Sequence, residues 1–239
     1  MAGVLTPKAA GELDLPSGIP VAAGCGDVCA AAIGSGATGD GQLHISLGTS
    51  AWISGFFNGR RLNVSDSYAT ITSPVTNRPL LIATQECAGA CLDWLASVTA
   101  SGEVQDPQQQ DALPIFLPWL AGERVPIDDN RLRGTFLGLS LNTRPEDLTL
   151  SVMEGVALNL RLAMQSVARQ RGAVSTGPIA VVGGAANNDT LCQMLADCLQ
   201  RPLVRPDFPE FTSLRGATAL AATALGWQTS PWSGAGAQA

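Results

Sequence analysis

The sequence is poor in charge and has no long apolar run. Only 14% of its 239 residues are charged, and the formal net charge is -6. Lys and Arg are scattered, and Arg60-Arg61 is the only basic doublet. No basic face is available to neutralise a nucleic-acid backbone, so nucleic-acid binding is not expected. No run of about 18 apolar residues occurs, and nothing reads as a membrane span. The opening residues lack the charged and apolar regions of a secretory signal, so the expected location is cytoplasmic. There is no internal repeat. None of the six cysteines forms a Cys-x-x-Cys pair. Cys25/Cys29 and Cys87/Cys91 do have the four-residue spacing that stacks two thiols on one helix face. Two such pairs could in principle build a four-thiolate zinc site. The lone histidine, His44, lies mid-strand, and the cysteines are expected to be small buried apolar residues instead. No metal ligand is assigned, and disulfides are not expected.

What is present is a globular composition. Apolar residues make up 46%, with abundant Ala and Gly. The length suits one large domain or two small ones and is enough to bury a core. Residues 1–20 are expected to be an irregular lead-in or linker with a helical piece over 7–13. Residues 21–227 form the domain, and the Gly/Ser/Ala-rich residues 228–239 a flexible tail.

Two stretches organise the chain. Gly24-Cys25-Gly26-Asp27 presents one carboxylate on a glycine-flanked turn before an Ala-rich helix, expected over 27–33. It is fed by a short strand over 21–23. Ser46-Leu47-Gly48-Thr49-Ser50 ends a strand over 42–46 in a tight turn bearing two hydroxyls, and a second strand over 51–57 completes a hairpin. Further strands are expected over 80–84, 179–182 and 202–204. Helices are expected over 86–99, 145–171, 189–199 and 213–225, with a polar loop or frayed helix over 101–110. The helix over 145–171 is marked by Thr143 as N-cap, Pro145 in the first turn, and an apolar stripe of Val152, Val156, Leu160, Ala163, Met164 and Val167. Hairpin strands first, then alternating strand and helix, give an α/β domain with a mixed sheet.

Three glycine turns, Gly24–Asp27, Gly48–Ser50 and Gly183–Asn188, each follow a strand. Ligands of open α/β sheets gather beyond the carboxyl ends of strands. Backbone N–H groups there, and at helix N-termini, suit phosphate oxygens. Asp27 has two readings: a general base for a hydroxyl that attacks phosphorus, or an N-cap. The positive end of a helix favours a carboxylate in either role.

These segments occur in order with Gly122-Glu123-Arg124-Val125-Pro126, Arg133-Gly134-Thr135-Phe136-Leu137-Gly138-Leu139, Glu154-Gly155-Val156-Ala157 and Gly183-Gly184-Ala185-Ala186-Asn187-Asn188. The whole pattern, over about residues 1–227, resembles the C-terminal domain of an FGGY-family carbohydrate kinase, nearest to xylulokinases. The resemblance implies an actin-like, ribonuclease-H-like ATPase domain, one lobe of a normally two-lobed kinase. It implies ATP and Mg2+ as cofactors and a sugar or polyol as substrate. Asp27 matches the catalytic base. Gly48, Thr49 and Ser50 match the turn facing the ATP phosphates, Gly183, Gly184 and Asn188 match the motif beside adenosine, and Gly26 is counted with the cofactor-binding residues. Arg133 and Glu154 match recurrent positions without a firm role, and Arg215 departs from the usual acidic or small residue. An N-terminal sugar-binding lobe, which would supply most sugar contacts, is expected to be absent, so a partner lobe in cis or trans, or a homodimer through the uncovered face, is implied. The alternative is a truncated, inactive module that binds nucleotide or a partner.

Overall fold

The chain opens with β1 (Gly3–Val4), α1 (Pro7–Leu13) and β2 (Pro20–Val21). The computed structural model describes residues 1–73, 78–99, 113–169 and 174–227. Then follow α2 (Asp27–Gly34), β3 (Leu43–Leu47), β4 (Ala51–Phe56), β5 (Leu62–Asn63), β6 (Tyr68–Ile71), β7 (Leu80–Gln85) and α3 (Gly89–Val98). A small hairpin of β8 (Ile115–Leu117) and β9 (Thr135–Leu137) precedes α4 (Pro145–Ala168). The chain closes with β10 (Ile179–Val182), α5 (Asp189–Leu199), β11 (Leu203–Val204) and α6 (Thr212–Ala224). The loop expected over 101–110 and the tail over 228–239 lie outside the described residues.

Seven strands form the main sheet, in the order β11-β10-β3-β4-β7-β6-β5. β10 runs parallel to both β3 and β11, and the other pairings are antiparallel. Side-chain alternation sorts the two faces. Leu43, Ile45, Leu47, Ile53, Leu81 and Ala83 pack with α4 and α5 in the principal core. Phe56 and Leu80 point the other way, against Cys29 and Ala32 of α2. The expected stripe on α4, Val152 through Val167, is buried. Fully burying a side chain such as Leu160 is worth about 1.5–3 kcal/mol, so α4 pins that face.

The structure corrects several expectations. The strand over 21–23 is instead Pro20–Val21, and it pairs with Gly3–Val4 in a separate exposed two-stranded sheet. Thus the lead-in is itself folded, and Asp27 does not follow a strand of the main sheet. β1, β5, β6, β8 and β9 were not expected as strands. Thr143 is not the cap of α4. Pro145 occupies N1 and keeps Arg144 extended, at φ -102° and ψ 162°, so Arg144 is the N-cap. Its N–H donates to the Asp147 carboxylate at 2.8 Å, while the Thr143 hydroxyl accepts from Ser140 N–H at 2.9 Å in the preceding turn. α4 ends at Ala168 with Arg169 as C-cap, short of residue 171. α3 starts at Gly89 rather than 86, because Ala88 is non-helical and its N–H is used elsewhere. Among the described residues, no helix is long and apolar enough to cross a membrane.

Candidate functional site

The Gly48–Ser50 turn, expected to face phosphates, and the Gly183 turn, expected beside adenosine, are brought side by side. Parallel pairing of β10 with β3 aligns Val182 with Ser46, so both strands end at one edge of the sheet. Gly183 follows at φ +94° and ψ 166°, a region essentially restricted to glycine. Its α-carbon lies against the Leu47 carbonyl, and a β-carbon there would overlap that oxygen. Gly183 N–H donates to the Pro209 carbonyl at 3.0 Å. The turn after β10 is thereby fixed both to the end of β3 and to the segment before α6.

The Gly48–Ser50 turn is braced by the start of α3. Gly48 N–H closes the turn on the Ser50 carbonyl at 2.9 Å. Ala88 and Ala90 donate to the Thr49 carbonyl at 2.9 and 3.1 Å, and Gly89 to the Gly48 carbonyl at 2.9 Å. A side chain at Gly89 would strike the Gly48 oxygen, which is why glycine stands there. With the carbonyls turned toward α3, Thr49 remains exposed and Ser50 half-buried. Nothing lies within 4 Å of the β-carbon position at Gly24, Gly26 or Gly184. Bare backbone at these points leaves room for a polyanion to approach closely, and the residues present fit a nucleotide phosphate chain.

Asp27 is the first residue of α2, and Gly26 is its N-cap. The N-cap reading of Asp27 is therefore replaced by a first-turn position. Its Oδ1 accepts from Val28 N–H at 2.9 Å, and the side chain is exposed. No described hydrogen bond joins Asp27 to the Gly48–Ser50 turn or to the Gly183–Gly184 turn. Asn188 caps α5, its Oδ1 accepting from Leu191 N–H at 2.9 Å. Beside it, a cleft of about 1320 Å³ opens between α5 and residues 202–210, lined in part by Asn187, Asp189, Cys192, Arg205, Phe208 and Glu210.

The other motif residues turn inward. Glu123 is buried, and its carboxylate accepts from Glu86 N–H at 3.0 Å, Arg124 N–H at 2.7 Å and Asn159 Nδ2 at 2.6 Å. Asn159 in turn accepts from Trp119 Nε1 at 3.2 Å. Burial pushes the Glu123 carboxyl up, and the Arg124 and Glu86 N–H groups oppose that rise. Glu123 is thus a bracket joining the approach to α3, the 119–124 loop and α4. Arg124 pairs with Glu86 at 2.5 Å. Sequence reasoning had the Gly-Glu-Arg motif but missed this role and missed Asn159, although a polar residue inside the apolar stripe of a helix is the available signal. Arg133 is exposed and donates to the Asn130 and Leu132 carbonyls. Glu154 is half-buried on α4, near enough to Cys198 of α5 to raise that thiol further. Arg215 donates to the Phe208 carbonyl at 3.0 Å.

All six cysteines are free, and five are buried or half-buried; Cys25 is exposed. Burial raises the Cys29 thiol to about 11 and the Cys91 thiol further, and Cys91 donates to the Pro118 carbonyl. Among the described residues, no group of three or more His, Cys, Asp or Glu is placed to hold a metal ion.

Known proteins match this arrangement. The model of the FGGY family of carbohydrate kinases, C-terminal domain, matches residues 43–225. Xylulose kinase of Escherichia coli (strain K12) is 32% identical over 202 residues, covering 82% of this chain and 41% of that protein. The ligand-bound xylulose kinase of Lactobacillus acidophilus superposes with a TM-score of 0.81 at 25% identity, over 95% of this chain and 48% of that one. Gluconate kinase of the same organism gives 0.78 at 26%, over 95% and 47%. The mixed sheet with flanking helices is the actin-like ATPase fold of these kinases, and the chain spans less than half the length of these relatives. The chain belongs to the FGGY family of carbohydrate kinases and corresponds to their C-terminal domain.

Proposed function

We propose that this chain supplies the catalytic base and the nucleotide-facing surface for ATP-dependent phosphorylation of a sugar or polyol hydroxyl, with a pentulose such as xylulose as the first acceptor to test. The observation that carries this reading is that the Gly48–Ser50 and Gly183–Gly184 turns follow adjacent parallel strands at one end of the sheet, with Gly183 packed on Leu47. Gly48, Thr49 and Ser50 would face the phosphates of ATP. Gly183, Gly184 and Asn188 would lie beside adenosine, for which the neighbouring cleft leaves room. Gly26 gives clearance next to the base. Asp27 accepts the proton of the acceptor hydroxyl while its oxygen attacks the γ-phosphorus. The bond from that phosphorus to the β-bridging oxygen breaks, and ADP leaves with the electron pair. Magnesium, arriving on the ATP phosphates, would offset their charge.

The acceptor must also be held. Orientation of the two reactants contributes about 7–11 kcal/mol of barrier lowering. A lobe preceding this domain, in cis or in trans, would supply it by closing over the substrate. Two facts support that view: the relatives are about twice as long, and Phe208, Phe211 and Trp227 stand exposed near the ends of α6. The open position of Asp27 favours a second reading, a module that binds nucleotide without turnover.

ADP release coupled to a reporter, run over a panel of pentuloses and polyols with and without a supplied N-terminal lobe, separates the two. Sugar-dependent release with the lobe present is the expected result. ATP binding without any sugar dependence would favour the second reading, and absence of ATP binding would remove both.

A further inference from the structure

Helices α2 and α6 meet with almost no clearance. A β-carbon at Gly34 of α2 would overlap the Thr212 carbonyl and reach the Gly216 nitrogen at 2.9 Å. A β-carbon at Gly216 of α6 would overlap the Ala30 carbonyl. Both glycines have ordinary helical backbones, so the requirement is spatial: each helix presents bare backbone to the other. Gly34, Ala30, Thr212 and Gly216 are all buried.

The start of α6 is also tied to the turn after β10. The Thr212 hydroxyl donates to the Pro209 carbonyl at 2.8 Å, and the same carbonyl accepts Gly183 N–H at 3.0 Å. One oxygen therefore links Gly183 to Thr212, and Thr212 abuts Gly34. The path runs from the turn beside Leu47, through Pro209 and Thr212, to the helix whose first residue is Asp27. Close-packed backbone transmits displacement because it cannot be compressed.

We infer that Thr212 and Gly216 are positioning residues for Asp27, holding the helix that bears it in register with the Gly183 turn. The inference rests on the proposed role of Asp27 as base. A misplacement of about 1 Å in such a group can cost around 100-fold in rate, and a glycine pair with no slack is the kind of contact that prevents it.

Amide hydrogen exchange on the full chain tests this, with residues 30–34 of α2 compared with 179–182 of β10. Thr212→Val keeps the shape and removes the hydroxyl donor, while Thr212→Ser restores the donor. The expected result for Thr212→Val is exchange at least about tenfold faster in α2, with β10 unchanged and Thr212→Ser close to the parent. Gly216→Ala should act in the same direction and more strongly. Equal acceleration in α2 and β10 would reduce the contact to general packing and overturn the inference, as would no acceleration. A second arm adds ATP, which should slow α2 exchange in the parent and in Thr212→Ser but not in Thr212→Val. Equal slowing in all three overturns the inference. If calorimetry finds no ATP binding at all while the α2-selective acceleration is present, the nucleotide reading fails and the mechanical link stands.

Discussion

The α-carbon of Gly183 rests on the carbonyl oxygen of Leu47, with no room for a methyl group between them. This contact joins the turn after β10 to the strand that leads into Gly48. It also separates two glycines that are neighbours in sequence. Gly183 is held at positive φ against backbone, whereas Gly184 has open space where a side chain would begin.

The pair gives opposed outcomes. Gly183→Ala must relieve both a strained backbone and an overlap, and should lose roughly 2–4 kcal/mol of stability in denaturant unfolding. Gly184→Ala should change stability by no more than about 0.5 kcal/mol. If bare backbone at Gly184 admits the nucleotide, ATP affinity in the alanine variant should fall about tenfold or more, measured by calorimetry. Unchanged affinity would place the nucleotide elsewhere.

Glu123 takes three N–H donors into one buried carboxylate. Glu123→Gln keeps the shape but sets an amide NH2 where an acceptor is needed. Turning the Asn159 amide to compensate would cost its bond from Trp119. A loss of roughly 2 kcal/mol or more is expected, read as a lower midpoint in thermal or urea unfolding. A variant as stable as the parent would show that the bracket is dispensable.

His44 is fully buried in β3, and among the described residues neither ring nitrogen makes a hydrogen bond of good geometry, the Ser54 backbone being only a weak polar neighbour. Among the described residues, Ser54 Oγ at the facing strand position and Trp52 Nε1 are likewise without a hydrogen bond. Burial lowers the His44 imidazole to about 4, only partly offset by the Ser54 backbone. The unfolded chain therefore binds a proton on this histidine at higher pH than the folded chain does. The contribution is fully present above about pH 6.5, declines below it, and by pH 4 has removed roughly 3 kcal/mol. His44→Leu should flatten stability between pH 6.5 and 4 and should not destabilise the protein at pH 7, since it removes orphaned polar atoms. Urea titrations of parent and variant at several pH values measure both effects; parallel pH profiles would contradict them.

Sequence and structure agree where side-chain period met burial. Leu43, Ile45 and Leu47 alternate, residues 179–182 are continuously apolar, and α4 carries its stripe, so these elements could be read directly. β1 and β5 have two residues each and stay mostly exposed, so no alternation marks them. Tyr68 of β6 does carry a signal, since a buried aromatic opens a β-prone run. The site was legible as motifs but not as contacts. Gly183 could be recognised as a turn glycine, yet only the fold reveals that Leu47 is its neighbour. Gly34 and Gly216 lie in Ala-rich helices, where glycine looks like weak helix formation rather than a crossing point. Asp27 was found by its turn, and its place at the first position of α2 needed the backbone of Gly26.

In the proposed reaction Asp27 removes the proton of the acceptor hydroxyl. The most direct test of this role is the rate of sugar-dependent ADP release by Asp27→Asn, with the N-terminal lobe supplied and ATP affinity measured alongside. The expected result is a fall of about 100- to 10,000-fold in kcat, with ATP affinity unchanged. An Asp27→Asn chain that turns over at the parent rate would contradict it.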